Sequence, residues 1–466
     1  MDTSQRVNQE VDLRLEAIRQ KRKPMRPEMV MTVGFSVLII LGTVLLALPV
    51  SGRNGRSLSF WDSLFTATSA VCVTGLVAVD TGTAFSWFGR TVLLVLIQAG
   101  GLGFMIFASL ALHMLGQRLS LRTRLLMRES MNADTLAGLG TMARRNALMV
   151  AVVEGTGALL FAIRMIPRYG TAHGIAHAVF LSVSAFCNAG FDCFGYYRSL
   201  TQYAADPLML LTAAMLIILG GIGFPVIAEV VFRPGRWKNW SLHTKTVLMA
   251  SGILLLVGTC FFMIAECRNP ATLGGKPFGE QLLNAFFQSV TMRTAGFNSI
   301  DLGSMRDSSK LFSCVLMIIG ASPASTGGGV KTTTMAVFVL FVVSIVRGRE
   351  DVNLSHRRLP KSLIRQAVAI LAIAWTVFLA GTLTLSIIEG SRFRVSDLLM
   401  ETASAVATVG VSSIGSPNLQ PVSRMVLIPM MMVGRVGPLT LMIALSGRPD
   451  LVHNRIHYPQ EDLFIG

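Results

Sequence analysis

Charge is what this sequence lacks most. Asp, Glu, Lys and Arg together make up 14% of its 466 residues, against about 25% in a typical soluble domain. Hydrophobic residues make up 52%, and the mean hydropathy is +0.59. Such a composition excludes a disordered chain and argues against an ordinary soluble one. Acidic residues are the scarcer charges, 25 against 41 basic ones, for a net charge of +16. In a soluble protein that excess would suggest nucleic acid; here it reads as the mark of cytoplasmic loops, and no nucleic-acid partner is expected. Cysteine is also sparse. The six (Cys72, Cys187, Cys193, Cys260, Cys267 and Cys314) form no CxxC pair and have no zinc-like spacing with histidine, so they read as small packing residues. No cleavable signal pattern, hydrolytic motif or clustered acid/base constellation is evident, which disfavours an enzyme.

Long apolar runs are what the chain does have, near 29–50, 91–115, 146–166, 207–232, 246–265, 311–346, 363–388 and 425–446. A hydrocarbon core of about 30 Å takes about 20 helical residues, so the pattern predicts an all-α polytopic membrane protein with eight spans and both termini on one side. Segments 1–28, 116–145, 233–245, 347–365 and 447–466 carry 25 of the 41 basic residues, which puts them, and both termini, in the cytoplasm. Val7, Val11, Leu15 and Ile18 have the spacing of a short amphipathic helix in the N-terminal tail; docking of a partner and lying on the membrane surface are both open readings.

Four shorter semi-polar segments between the runs look alike: Phe60–Val77, Ala176–Asp192, Leu282–Asn298 and Ser396–Ser412. Each starts with bulky apolar residues, continues with Ser, Thr and Ala, and reaches one glycine: Gly75, Gly190, Gly296 or Gly410. A second glycine block follows each at near-constant spacing, at Gly100, Gly220, Gly320 and Gly434. Recurrence of two landmarks marks an internal repeat. The units are assigned as 29–117, 143–233, 243–347 and 362–447, flanked by cytoplasmic tails 1–28 and 448–466. Each is a helix, a half-inserted pore loop and a second helix, arranged around a pseudo-fourfold pore. Irregular backbone at membrane depth is tolerated only inside protein or along a watery path. Carbonyls from four such loops can replace the hydration shell of a monovalent cation. The candidate filter is Val73, Thr74 and Gly75, Asn188, Ala189 and Gly190, Thr294, Ala295 and Gly296, and Thr408, Val409 and Gly410. None is acidic, which disfavours a divalent-cation site.

These segments resemble the pore loops of the Ktr/Trk/HKT superfamily of potassium transporters, and above all the membrane subunits of its bacterial Ktr branch. The resemblance implies K⁺ translocation through backbone carbonyls, with Na⁺ as an activator, and no nucleotide bound by this chain itself. It implies a homodimer in the lipid of the inner cell membrane, seated on a cytoplasmic ring of RCK-type nucleotide-binding regulatory subunits. Glycine at all four filter positions is similar to the potassium-selective members, whereas members with serine in the first loop tend to carry sodium; a Trk-type or sodium-conducting relative is the alternative. A carrier for an organic solute would usually show two related halves rather than four quarters.

Pro323 and the run Gly327–Gly329 cannot hold a rigid helix, so the third unit is expected to break inside the membrane. The resemblance makes this break a gate beneath the filter, formed by Gly320, Ser322, Ser325, Thr326, Gly327, Gly328, Gly329 and Lys331. The stretch is not a phosphate-binding loop, because Val330 precedes Lys331 and no strand comes before it. Arg435, deep in the last span, is the costliest charge in the chain. The resemblance gives it the role of an electrostatic barrier below the filter; an ion pair with an acid such as Glu154 is the structural alternative. Arg293 is expected to point behind the third filter segment, with Glu401 as a candidate partner. Glu154 and Glu229 are read as packing partners.

Overall fold

In a computed structural model the protein is described over residues 27–103, 139–232, 235, 237–349, 351–354 and 357–446. The N-terminal amphipathic pattern, the tail 448–466 and most of the segment 116–145 lie outside the described residues. The rest is overwhelmingly helical: α1 (Pro27–Ala47), α2 (Phe60–Val71), α3 (Trp87–Gly101), α4 (Leu139–Tyr169), α5 (Thr171–Phe186), α6 (Pro207–Ile222), α7 (Phe224–Phe232), α8 (Leu242–Glu266), α9 (Phe278–Thr291), α10 (Asp307–Ile318), α11 (Thr332–Val346), α12 (Lys361–Glu389), α13 (Val395–Val406), α14 (Pro421–Val436) and α15 (Pro438–Ser446). A two-stranded hairpin, β1 (Asn353–Leu354) and β2 (Arg357–Arg358), joins α11 to α12.

Among the described residues four helices, at Glu28–Ala47, Arg144–Tyr169, Leu242–Glu266 and Lys361–Arg392, are long and apolar enough to cross a membrane. Two further candidates are bent pairs: α6 and α7 meet at 102°, and α14 and α15 at 101°. Both bends fall on a glycine with positive φ, Gly223 (96°) and Gly437 (97°), where a residue with a Cβ would be strained. The apolar runs 207–232 and 425–446 are therefore not straight spans, and the run 311–346 is split between α10 and α11. Hydropathy averages over such breaks because the flanking residues stay apolar.

The four short helices α2, α5, α9 and α13 each end just before one of the four glycines. Their packing follows a closed circle: α3 lies against α5, α6 against α9, α10 against α13, and α14 against α2. Two ion pairs brace it. Lys310 of α10, 3% exposed, meets Asp397 of α13 at 2.7 Å, and Arg424 of α14 meets Asp62 of α2 at 2.6 Å.

The C-terminal end of each long helix also holds the start of a later one. The Ser51 carbonyl after α1 accepts the Ser86 amide, and Ser86 caps α3 through the Gly89 amide. Arg164 of α4 pairs with Asp206, the cap of α6. Glu266 of α8 accepts the Arg306 amide at 3.0 Å. Glu389 of α12 accepts the Gln420 amide and the Ser423 hydroxyl and pairs with Arg392. On the opposite side, Glu229 of α7 accepts from the Ser241 amide and from the hydroxyls of Ser241 and Thr244, fixing the start of α8; it is a packing partner, as its sequence context suggests.

Glu389 is 2% exposed and holds three charge-assisted contacts. Glu389→Ala leaves the Gln420 amide and the Ser423 hydroxyl unsatisfied, so it is expected to cost about 3 kcal/mol. A thermal midpoint lowered by several degrees in detergent, largely recovered in Glu389→Gln, is the expected reading.

Candidate functional site

The predicted filter residues converge. A Cβ added at Gly75 would meet the Ala189 carbonyl oxygen, one at Gly190 the Ala295 oxygen, one at Gly296 the Val409 oxygen, and one at Gly410 the Thr74 oxygen, in each case at no more than 3.0 Å. The four glycines thus stand in a ring, each against the backbone of the next segment. All four have positive φ, between 69° and 94°, so glycine is required twice over, by conformation and by space. Two residues earlier the backbone is left-handed again, at Val73 (56°), Asn188 (59°), Thr294 (71°) and Thr408 (51°). Such a conformation costs a non-glycine residue of order 1 kcal/mol and is rarest for a β-branched one. Sequence reasoning missed this element, because nothing in Val, Asn or Thr marks a left-handed turn.

Above the ring opens a cavity of about 420 Å³ lined by all four glycines and by Asp80, Asp192 and Asp301. Asp80 accepts the amides of Tyr196, Tyr197 and Thr83 and so ties the loop after Gly190 to the loop after Gly75. Asp192 is half-buried; burial pushes its carboxyl up to about 7, and the Asp80 charge adds to the rise, while the Phe194 amide opposes it.

Below the ring lies the loop between α10 and α11. A side chain at Gly327 would collide with Thr294 Oγ1, and one at Gly328 with Thr408 Oγ1, so the loop is pressed directly under the left-handed residues. Thr74 Oγ1 and Thr408 Oγ1 are buried and have no hydrogen-bond partner among the described residues. The loop is fastened to broken helix ends. The Ser322 amide donates to the Gly221 carbonyl (3.0 Å) and the Thr326 amide to the Gly220 carbonyl (3.1 Å), both near the end of α6. Thr326 Oγ1 donates to the Phe186 carbonyl, and the Gly329 amide to the Gly434 carbonyl. Within the loop, Gly320 is bonded to Val330, Ser325 Oγ donates to the Ser322 carbonyl, and Ser322 Oγ meets Thr332 Oγ1. Lys331 Nζ turns back and donates to the Gly327 carbonyl at 2.8 Å, rather than reaching the cytoplasmic interface.

Arg435 joins three of these parts. Its guanidinium donates to the Thr326 carbonyl of the loop and to the Gly100 and Gly101 carbonyls at the end of α3. Glu154 is not its partner; that carboxylate accepts from Gln98 Nε2, beside Cys187. Arg293 points behind the ring as expected, but it donates to Ser251 of α8 (3.1 Å), while Glu401 accepts from the hydroxyls of Ser412 and Ser416. Arg293 follows α9, which packs on α8, whereas Glu401 is turned to its own returning strand of chain.

Comparison with known proteins agrees with this architecture. The profile of the TrkH family, described as a cation transport protein, matches residues 13–450. The chain belongs to this family. It is 39% identical over 440 residues to the Ktr system potassium uptake protein B of Bacillus subtilis (strain 168), covering 94% of this chain and 97% of that one. It is 33% identical to the potassium/sodium uptake protein NtpJ of Enterococcus hirae, covering 96% and 99%. The crystal structure of the potassium transporter TrkH from Vibrio parahaemolyticus superposes with a TM-score of 0.72 at 16% identity, covering 91% and 86%, which shows a shared fold. TrkH family membership and several apolar helices make this a multi-pass membrane protein of a cation-transport family, not of an enzyme family.

The raised carboxyl of Asp192 has a consequence for stability. Between its ordinary range near pH 4 and about pH 7, the folded chain keeps a proton that the unfolded chain has released. Its contribution is complete below that window and is lost as the pH rises through about 7. The thermal midpoint of the protein is expected to fall across this window, and Asp192→Asn to flatten the slope.

Proposed function

We propose that this chain is the potassium-translocating membrane subunit of a Ktr-type uptake system. The ring in which each glycine abuts the carbonyl of the next segment is the observation that carries the reading. Carbonyls of uncharged residues suit a weakly hydrated monovalent cation, and a ring without carboxylates offers little to a divalent one. The circle of helix contacts and the recurrence of the left-handed turn support four repeats, 29–117, 143–233, 243–347 and 362–447, around a pseudo-fourfold path with eight spans. Two of the eight are bent pairs, and one is interrupted.

In this reading K⁺ gathers in the acidic vestibule, sheds water against the residues from Val73 to Gly75 and their counterparts, and meets the loop from Gly320 to Lys331 below. Arg435 holds the loop shut from one side by gripping the Thr326 carbonyl, and its charge with that of Lys331 opposes a cation beneath the filter. Opening moves the loop out of the path by exchanging those hydrogen bonds; the flux follows the membrane potential and the ion gradient. The relatives named as Ktr system proteins support further components of such a system; in this reading the chain is a homodimer in the inner cell membrane, with cytoplasmic termini, on a cytoplasmic nucleotide-binding ring. The relative named for potassium and sodium supports Na⁺ as an activator or competing cargo.

Flux of ⁸⁶Rb⁺ into proteoliposomes, with Na⁺ as competitor, tests the reading. Saturable K⁺ flux that resists Na⁺ is expected; equal Na⁺ flux would assign the chain to the sodium-conducting relatives. Gly75→Ser is expected to weaken the discrimination, because its side chain meets the Ala189 carbonyl. Deleting Gly327–Gly329 is expected to raise basal flux in protein that still assembles, and unchanged basal flux would remove the loop from the role of gate.

A further inference from the structure

Resting on the filter reading above, we propose that four buried hydroxyls, those of Ser69, Ser184, Thr291 and Ser404, are positioning residues that set the filter's selectivity from behind. All four are 0% exposed, and each lies in the last turns of the short helix that leads into its glycine.

Ser69 and Ser404 act alike. The Thr74 amide donates to the Ser69 carbonyl (2.8 Å) and the Gly75 amide to Ser69 Oγ (3.0 Å). In the fourth segment the Val409 amide donates to the Ser404 carbonyl (2.8 Å) and the Gly410 amide to Ser404 Oγ (2.9 Å). One serine thus holds two successive amides. In a trans peptide the N–H and C=O point in opposite directions, so drawing the Gly75 amide back toward the helix drives the Thr74 carbonyl forward. The Thr74 and Val409 oxygens indeed stand against Gly410 and Gly296. The serine hydroxyl is therefore what orients the carbonyl that meets the ion, and a flipped peptide would present an N–H instead.

The other two segments are held differently. Ser184 Oγ donates to the Phe191 carbonyl (2.6 Å), and Thr291 Oγ1 to the Phe297 carbonyl (2.5 Å). The hydroxyl there fixes the carbonyl one residue beyond the glycine and turns it away from the path. In the third segment Val290 stands six residues before the glycine, where the other three have serine, and the threonine comes one residue later. The Ala295 amide accordingly bonds four residues back, to Thr291, where its counterparts bond five back. The filter is thus clamped by amides on two sides and by outer carbonyls on the other two.

Ser69→Ala and Ser404→Ala are compared with Ser63→Ala, which removes a buried hydroxyl of α2 that has no partner among the described residues. The K⁺-over-Na⁺ flux ratio in proteoliposomes is the readout, with the thermal midpoint measured alongside. Each filter variant is expected to lower the ratio about five-fold, which is about 1 kcal/mol at 1.4 kcal/mol per decade; Ser63→Ala is expected to leave it unchanged, and Ser404→Thr, which keeps the hydroxyl, to restore it. Ser69→Cys and Ser404→Cys keep the volume and weaken the acceptor, so they give the same reading where alanine does not assemble. A ratio unchanged in the alanine or cysteine variants, while Gly75→Ser still lowers it, overturns the positioning role and leaves the filter standing. A ratio that neither Gly75→Ser nor the serine variants alter overturns the filter reading itself.

Discussion

A backbone group at membrane depth has no water to turn to, and each one left unpaired costs several kcal/mol. The centre of this protein is arranged around that constraint. Helices α3, α6 and α14 all stop short at glycines, and each stop frees carbonyls that a continuous helix would have used. The freed groups at Gly220 and Gly221 take the amides of the intramembrane loop, the one at Gly434 takes the Gly329 amide, and those at Gly100 and Gly101 take Arg435. The broken helices and the loop are one solution: each supplies hydrogen-bond partners to the other. A buried guanidinium, costly alone, is tolerated because the carbonyls of Thr326, Gly100 and Gly101 surround it.

The same logic separates what the sequence discloses from what it hides. Gly75, Gly190, Gly296 and Gly410 are legible because glycine is the only residue that fits a positive φ against a neighbouring carbonyl, and the demand recurs along the chain. The broken third unit is legible from Pro323 and the glycine run. The bends at Gly223 and Gly437 are not, because single glycines in apolar runs also serve helix packing. The left-handed Val73 and Thr408 are invisible: their conformation is imposed by the hydrogen bonds on either side, against local preference. Partners are the hardest to read. Arg293 and Glu401 sit in similar surroundings of adjacent segments, yet they face different neighbours, and only the three-dimensional path separates Ser251 from Ser412.

Electrostatics divides the centre of the protein into an acidic cavity, a neutral ring and a basic layer beneath it. Asp80, Asp192 and Asp301 line the outer cavity; no charged side chain belongs to the twelve ring residues; and Arg435 and Lys331 lie beneath. Asp80 has a second task, since its carboxylate also organises the loop that carries Tyr196 and Tyr197. The charge of the cavity and the fold of the loops around the ring are thus built partly from the same side chains.

Four unequal segments on a single polypeptide have a consequence for how the site can change over generations. In a pore assembled from four identical subunits, one codon alters every side at once, and the energetic effect arrives in fourfold steps. Here a substitution touches one side only. Val290 and Thr291 already differ from the Ser-Ala pair of the other three segments while the ring remains closed. The shape of such a ring can change by single, small increments, each buffered by three unaltered sides.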